Sequence, residues 1–597
     1  MLRTFVFCCL FAGFAAAPPI SAAGGGEAAR FRDLVDREWR WRLRESPLLA
    51  TYVGVHDFDD HLASNAEADL ERRARETRAF LDELATIDRA ALAAASPGDA
   101  VSYDLFAMEL GDRLASRSFG EEQLTLNADS GFHTDLAQLP EQVPVGSIRE
   151  LESYLARLGQ FPRVFDEAIE LMKKGLARGM TPAKVAIAGV EATAAAHVVA
   201  DTEESVFWAP FAGLSETIPV AERERLRAAA RETIRGSVVP SYARFRDFLV
   251  SDYLPRARSS VGASELHDGQ AYYRYLIRHF TTLDLEPEAI HQTGLEQVAR
   301  IRGEMEAVKK RTGFEGDFAA FLAFLRSDPR FYATSPEELL KEASFIAKRM
   351  DAKLPSLFRR LPRMPYGVAP VPESIAPKYT SGRYVPAPVG GTQPGWYWVN
   401  TYALEKRPLY NLEALSFHEA VPGHHLQGAL AQELEGLPQF RRFLYVDSFG
   451  EGWGLYSEWL GIEAGFYTDP YRDFGRLGYE AWRACRLVVD TGIHAFGWSR
   501  ERAIDYLAAN TTLPLHEVET EIDRYISWPG QALSYYIGFM KLRELRALAE
   551  RELGAEFDVR DFHDAVLGNG TLSMPALERQ IQAFIDGKKR SRAAAGG

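Results

Sequence analysis

The sequence predicts a chain dominated by α-helix with one small β element, on three observations. Apolar residues recur at helical spacing, Ser/Glu starts and glycine stops punctuate them, and one proline-rich stretch breaks the pattern. Taken in order, Ser147 and Glu150 form a capping box, after which Ile148, Leu151, Leu155 and Leu158 line one face. Pro162 suits the first turn of the next helix, which is expected to stop near Gly179. Ile290, Leu295, Val298, Ile301, Met305 and Val308 mark an apolar stripe on a long helix and are expected in the core. Ser335-Pro-Glu-Glu338 opens a further helix by the same capping chemistry. Residues 361–394 hold eight prolines, with Tyr379, Tyr384, Trp396 and Trp398 interleaved or adjacent. Proline excludes regular helix, so this stretch is either a small sheet that could bind a peptide by strand addition or a stiffened connector. Lys588-Lys-Arg590 reads as a frayed end.

At 597 residues, 46% hydrophobic and 25% charged, the chain has material for several domains' worth of core. Residues 256–269, with their Ser, Gly and Asp content, are the best candidate boundary. They divide an N-terminal helical region, 24–265, from a C-terminal region, 266–590. A net charge of -14 argues against nucleic acid as a partner, since phosphate backbones select basic surfaces.

The first 23 residues read as a signal peptide. Arg3 supplies the positive start, Phe5 to Phe14 the apolar stretch, and Ser21-Ala-Ala23 the small-residue site, with cleavage near Ala22 or Ala23. The apolar run is too short to span a bilayer, so no transmembrane segment is expected in the mature chain. Cys8 and Cys9 lie in the leader without the pattern of a lipoprotein site, and Cys485 alone remains, which forbids an intramolecular disulfide. The expected location is the periplasm or outside the cell.

Chemistry concentrates at residues 418–425, His-Glu-Ala-Val-Pro-Gly-His-His, which hold three of the chain's 13 histidines. Two histidines and a carboxylate suit catalytic zinc, leaving a fourth position open, and Glu419 stands where a zinc hydrolase keeps its general base. The spacing departs from His-Glu-x-x-His. On an unbroken helix His424 and His425 rise about 9 and 10.5 Å from His418, too far to share one ion. Pro422-Gly423 offers the remedy, because proline kinks a helix and glycine tolerates unusual backbone angles. A bulge of about two residues would bring His424 into place, and one of three would bring His425. His424 needs the smaller distortion and is preferred, leaving His425 to support the site or face substrate.

His418-Glu-Ala-Val-Pro-Gly-His-His-Leu-Gln427, Glu451-Gly-Trp-Gly-Leu-Tyr-Ser-Glu458 and Pro529-Gly-Gln-Ala-Leu-Ser-Tyr535 resemble the signature blocks of one bacterial family. It is catalogued as domain of unknown function eight-eight-five and grouped with zincin-like metallopeptidases. The stretches 46–59 and 394–401 are similar too, so the resemblance spans nearly all of the mature chain. It implies a mainly helical zinc peptidase with a deep cleft, akin to peptidases whose third ligand is a glutamate. Glu451, in a Glu-small-x-small pattern like theirs, is the preferred third ligand over Glu458, which would hydrogen-bond a ligand histidine.

Downstream, Tyr535, or failing it Tyr536, could steady the oxyanion of a tetrahedral intermediate, and His494 is a further candidate. Arg524 could hold a substrate's terminal carboxylate by a paired contact. The expected reaction is hydrolysis of short peptides by a one-zinc enzyme with ligands His418, His424 and Glu451, in which Glu419 moves the proton. The alternatives are a zinc amidohydrolase acting on cell-wall peptides or amino-acid conjugates, and a non-catalytic exported metal-binding protein.

Overall fold

The computed structural model describes residues 22–595 apart from 129, 374 and 388–392, so most of the expected signal peptide lies outside the described residues. Within them the chain is mostly helix with one three-stranded sheet. No helix among the described residues is long and apolar enough to cross a membrane.

Three early helices, α1 (Ala22–Glu45), α2 (Glu67–Ala85) and α3 (Pro97–Phe119), pack together. The helix α4 (Ile148–Gly159) starts as its capping box requires. Ser147 Oγ accepts from the Glu150 N–H, and Glu150 Oε2 accepts from the Ser147 N–H at 2.9 Å. Next, α5 (Phe161–Arg178) carries Pro162 in its first turn and ends at Gly179, whose φ of 72° is left-handed. After α6 (Gly269–Thr281), the long α7 (Pro287–Arg311) buries Ile290, Val298, Ile301, Met305 and Val308. Leu295, expected in that stripe, is 37% exposed. Five positions beyond Ile290 it lies about 140° round the helix, off the buried face. In α8 (Pro336–Asp351), Ser335 Oγ accepts from the Glu338 N–H at 3.2 Å.

The proline-rich stretch does form a sheet. Strands β1 (Tyr366–Pro370), β2 (Gly382–Val385) and β3 (Gly395–Val399) lie in the order β1-β3-β2, with β1 parallel and β2 antiparallel to β3. β3 is therefore central and β2 an edge.

Helices α9 (Leu412–Glu419), α10 (His424–Gln432), α11 (Asp447–Glu463), α12 (Pro470–His494), α13 (Leu515–Ser527), α14 (Leu533–Leu553) and α15 (Met574–Ala595) complete the architecture. α12 packs along α7, α11 along α14, and α9 against α11. Every residue of α12 from Phe474 to His494 is buried, Cys485 among them, so it is an axis round which the others assemble. The Lys588 tract, expected to be frayed, lies within α15, where Lys588 and Lys589 each contact a carboxylate (Asp561 and Glu552) at 2.6 Å.

Two hydrophobic cores result. One draws on residues from Phe31 to Leu110 and from Ala263 to Ile585, with Met180, Ala183 and Ala186. The other draws on Leu62 and residues from Leu126 to Ala257. Helices α1 to α3 thus share a core with the C-terminal half that carries the histidine cluster.

Candidate metal centre

The local sequence breaks one helix into two. α9 ends at Glu419, residues 420–423 form a connector, and α10 begins at His424. The sequence suggested a bulge within one helix; the structure has a full break and restart. Gly423 permits it, because a Cβ there would meet the His418 carbonyl oxygen at 2.0 Å. The connector folds tightly enough for the His425 N–H to donate to the Ala420 carbonyl at 3.1 Å. The Pro422 carbonyl is held from the other side by Trp453 Nε1 at 2.9 Å.

This break brings His418 and His424 together, with ring centroids 4.7 Å apart, and α11 places Glu451 against both. Glu451 Oε2 lies 3.4 Å from His418 Nε2 and 3.5 Å from His424 Nε2. The three ligand atoms all fall within 4.8 Å of one another. Ligands about 2.0–2.1 Å from a tetrahedral zinc stand about 3.3 Å apart, so these residues fit a single such ion. Gly454 makes the approach possible, since a Cβ there would meet the His418 ring at 2.6 Å. Burial alone would raise the Glu451 pKa, but the contacts with the two histidines hold it well below the usual carboxylate range.

Glu458, two turns further along α11, supports the cluster from behind. Its Oε1 accepts from His418 Nδ1 at 2.8 Å and lies 3.4 Å from Arg483. It is 2% exposed, which orients His418 with Nε2 toward Glu451. Burial would depress His418, but Glu451, Glu458 and the Glu419 charge outweigh it and raise its pKa to about 10. Glu419 Oε2 accepts the outward N–H of Tyr384 on the edge strand β2 at 2.8 Å, leaving Oε1 for other work.

The remaining expected residues divide. Tyr535 joins the cluster, its ring stacked 6.4 Å from that of His418, with the Arg524 guanidinium near its hydroxyl. Tyr536 points elsewhere, to Arg300, Gln297 and Glu480. His425 turns to the sheet, with Nδ1 3.2 Å from the Tyr384 hydroxyl and its ring 4.6 Å from that of Tyr366. Burial lowers its pKa to about 4, so it is a neutral tie between α10 and the strands. His494 is not at the cluster and is corrected to a structural residue. Its Nδ1 accepts from the Ala263 N–H and its Nε2 donates to the Tyr525 carbonyl, both at 2.9 Å, so no ring nitrogen is left for an oxyanion.

A family model described as bacterial protein of unknown function (DUF885) matches residues 47–581. The chain belongs to this family. A solved structure of a Colwellia psychrerythraea protein, provisionally described as a lipoprotein, is 28% identical, covers 95% of this chain and 100% of its own, and superposes with a TM-score of 0.86. A Shewanella oneidensis protein, provisionally described as a lipoprotein of unknown function, shares the fold at 17% identity and a TM-score of 0.67, covering 93% and 99% of the two chains. No match was found among curated proteins.

Two residues of this DUF885 chain come to the cluster that sequence reasoning missed. Tyr445 donates from its hydroxyl to Glu451 Oε1 at 3.1 Å, so both oxygens of that carboxylate are engaged. Its ring is 53% exposed, yet partial removal from bulk water and the Glu451 and Asp447 charges push its pKa well up. Arg383 of β2, outside the signature blocks, lends positive charge to Glu419 and Glu451. Tyr445 precedes the helix that carries Glu451, so no periodic rule points to it. Gly450 leaves room for it, because a Cβ there would meet the Tyr445 hydroxyl at 2.4 Å.

Proposed function

We propose that this chain is an exported zinc-dependent hydrolase that cleaves peptide bonds of short peptides in a cleft between its helices. The observation that carries the reading is the pair of Nε2–Oε2 separations, 3.4 and 3.5 Å, matched to the edge of a zinc tetrahedron with Glu419 adjoining. His418, His424 and Glu451 would hold the ion, which supplies Lewis acidity for activating water and polarising a carbonyl at neutral pH. The chain's own groups do the rest. Glu419 is anchored through Oε2, so Oε1 takes the proton of the attacking water and returns it to the leaving amine. The Tyr535 hydroxyl, beside His418 and the Arg524 guanidinium, is placed to donate its O–H to the oxyanion. The free edge of β2 beside Glu419 offers backbone groups to an extended peptide, with the Tyr384 N–H already taken. The apolar leader and the lipoprotein description of the Colwellia relative support export.

Elemental analysis of purified protein, followed by a peptide-library screen with and without 1,10-phenanthroline, tests the reading. The expected result is about one zinc per chain and chelator-sensitive cleavage of short peptides, with native albumin left intact. Glu419→Gln should keep the zinc and lower turnover by about 10²–10⁴-fold, as loss of a general base does. Loss of zinc in that variant would make Glu419 a ligand and sink the assigned mechanism.

A further inference from the structure

Two guanidinium groups, of Arg524 and Arg486, come together at Tyr535. Arg524, near the Tyr535 hydroxyl, donates from Nη2 to Gln531 Oε1 at 2.9 Å, and its Nη1 lies 3.5 Å from Glu521 Oε2. Arg486 lies over the same tyrosine ring, Cζ 4.2 Å from its centroid, and donates to Glu521 Oε2 at 3.1 Å and to the Tyr525 hydroxyl at 2.8 Å. Glu521 is the carboxylate in direct contact with both cations, while Glu517 and Asp490 act on Arg486 only from further off. Arg486 is 2% exposed, and its Nη1 is buried with no hydrogen-bond partner among the described residues.

Two guanidinium groups sharing one contacting carboxylate, with a buried nitrogen unpartnered, make a site where an added anion is favoured. Arg524 is the member that an outside anion can touch, since a fifth of its side chain is exposed. Arg486, behind the tyrosine, contributes field rather than contact. Trp528, 42% exposed with its ring centroid 5.9 Å from the Arg524 guanidinium carbon, adds apolar surface next to that charge. The distance to the histidines is short. The Tyr535 ring is 6.4 Å from that of His418 and the Arg524 guanidinium lies near its hydroxyl, a span on the order of three extended residues.

We infer that Arg524, charged by this arrangement and held by Glu521 and Gln531, binds the free C-terminal carboxylate of a short peptide, with the adjoining side chain against Trp528. Resting on the peptidase reading above, this makes the enzyme a C-terminal exopeptidase that cuts within about three residues of the end. Endopeptidase action on long chains is disfavoured, because an internal segment brings no carboxylate to Arg524.

The test uses the zinc-loaded full chain and two peptides of one sequence with an apolar last residue, one ending in a carboxylate and the other in a carboxamide. The expected result is a kcat/KM at least 100-fold lower for the amide, and a ratio that collapses toward one in Arg524→Lys, which keeps charge but loses the planar fork. Equal cleavage of both peptides by the wild type overturns the inference and leaves the peptidase reading standing. If neither peptide is cut, calorimetry with Glu419→Gln decides. Binding of the carboxylate form alone upholds the anion site without the peptidase reading, and equal or absent binding overturns it.

Discussion

Glu458 shows how a residue can matter to a metal centre without touching the ion. Its Oε1 fixes His418 from Nδ1, so the ring presents Nε2 where Glu451 and His424 converge. A buried carboxylate on the far nitrogen also raises the basicity of a ligand histidine. Glu458→Gln keeps the shape and removes the charge, and zinc affinity should fall by about 10–100-fold in a chelator-competition titration. Unchanged affinity would reduce Glu458 to packing. His424 and His425, adjacent in sequence, illustrate the opposite lesson. Pattern favoured His424 on the size of a distortion, and a backbone break of four residues, with Gly423 against the His418 carbonyl, is what separates their directions.

Helix α11 carries both glutamates and must lie unusually close to its neighbours. Gly454 faces the His418 ring, and Gly452 faces the backbone of Gly538 on α14 at 2.5 Å from a would-be Cβ. The glycines thus serve two contacts, one with the ligand helix and one with α14. Gly454→Ala should push the His418 ring aside and weaken zinc binding more than it lowers the melting temperature; intact affinity would mean that the ring has room to move. His494 ties α12, α13 and the backbone at Ala263 into one unit. Its removal in His494→Ala leaves two buried backbone groups unpaired, a loss of about 2–4 kcal/mol that thermal denaturation would read. Peptide turnover by the folded fraction should persist, and its abolition would restore a catalytic role. Burial also lowers the His494 pKa to about 3, and that of His563 likewise. Both stay neutral when folded but charge near about 6.5 when unfolded. Their contribution is therefore complete above that pH and is lost as pH falls toward about 3. Melting temperatures measured across that window should decline with acid, and less steeply in a variant lacking either histidine.

Across the chain, the cluster lies where α9, α10 and α11 meet, inside the larger of the two cores. An ion bound by residues from three helices stabilises the folded state by mass action, by about 2.7 kcal/mol at a hundredfold excess over its dissociation constant. Zinc should therefore raise the melting temperature of the wild type and leave His424→Ala unmoved. A zinc-induced rise in that variant would place the ion elsewhere.

Helix-dominated architecture, the capped starts at Ser147 and Ser335, and the membership of His418, His424 and Glu451 in one cluster were legible in the residues. Each follows from short-range rules, in which capping, periodicity and ligand chemistry act within a few positions or repeat as blocks. The sheet was legible only as one of two readings, because proline excludes helix without choosing between strand and loop. Leu295 is exposed because, at about 100° per position, it lies well round the helix from the face set by Ile290, Ile301 and Val308. The tertiary structure alone decided the rest. Arg383 and the Arg486–Glu521–Arg524 group come near the cluster from segments far away in the chain, and Tyr445, though only six positions before Glu451, lies outside the helix that carries it. His494 looked like a catalytic donor until packing supplied a backbone partner for each ring nitrogen. Residue type fixes what a side chain can do, and only the packed fold fixes what is left for it to meet.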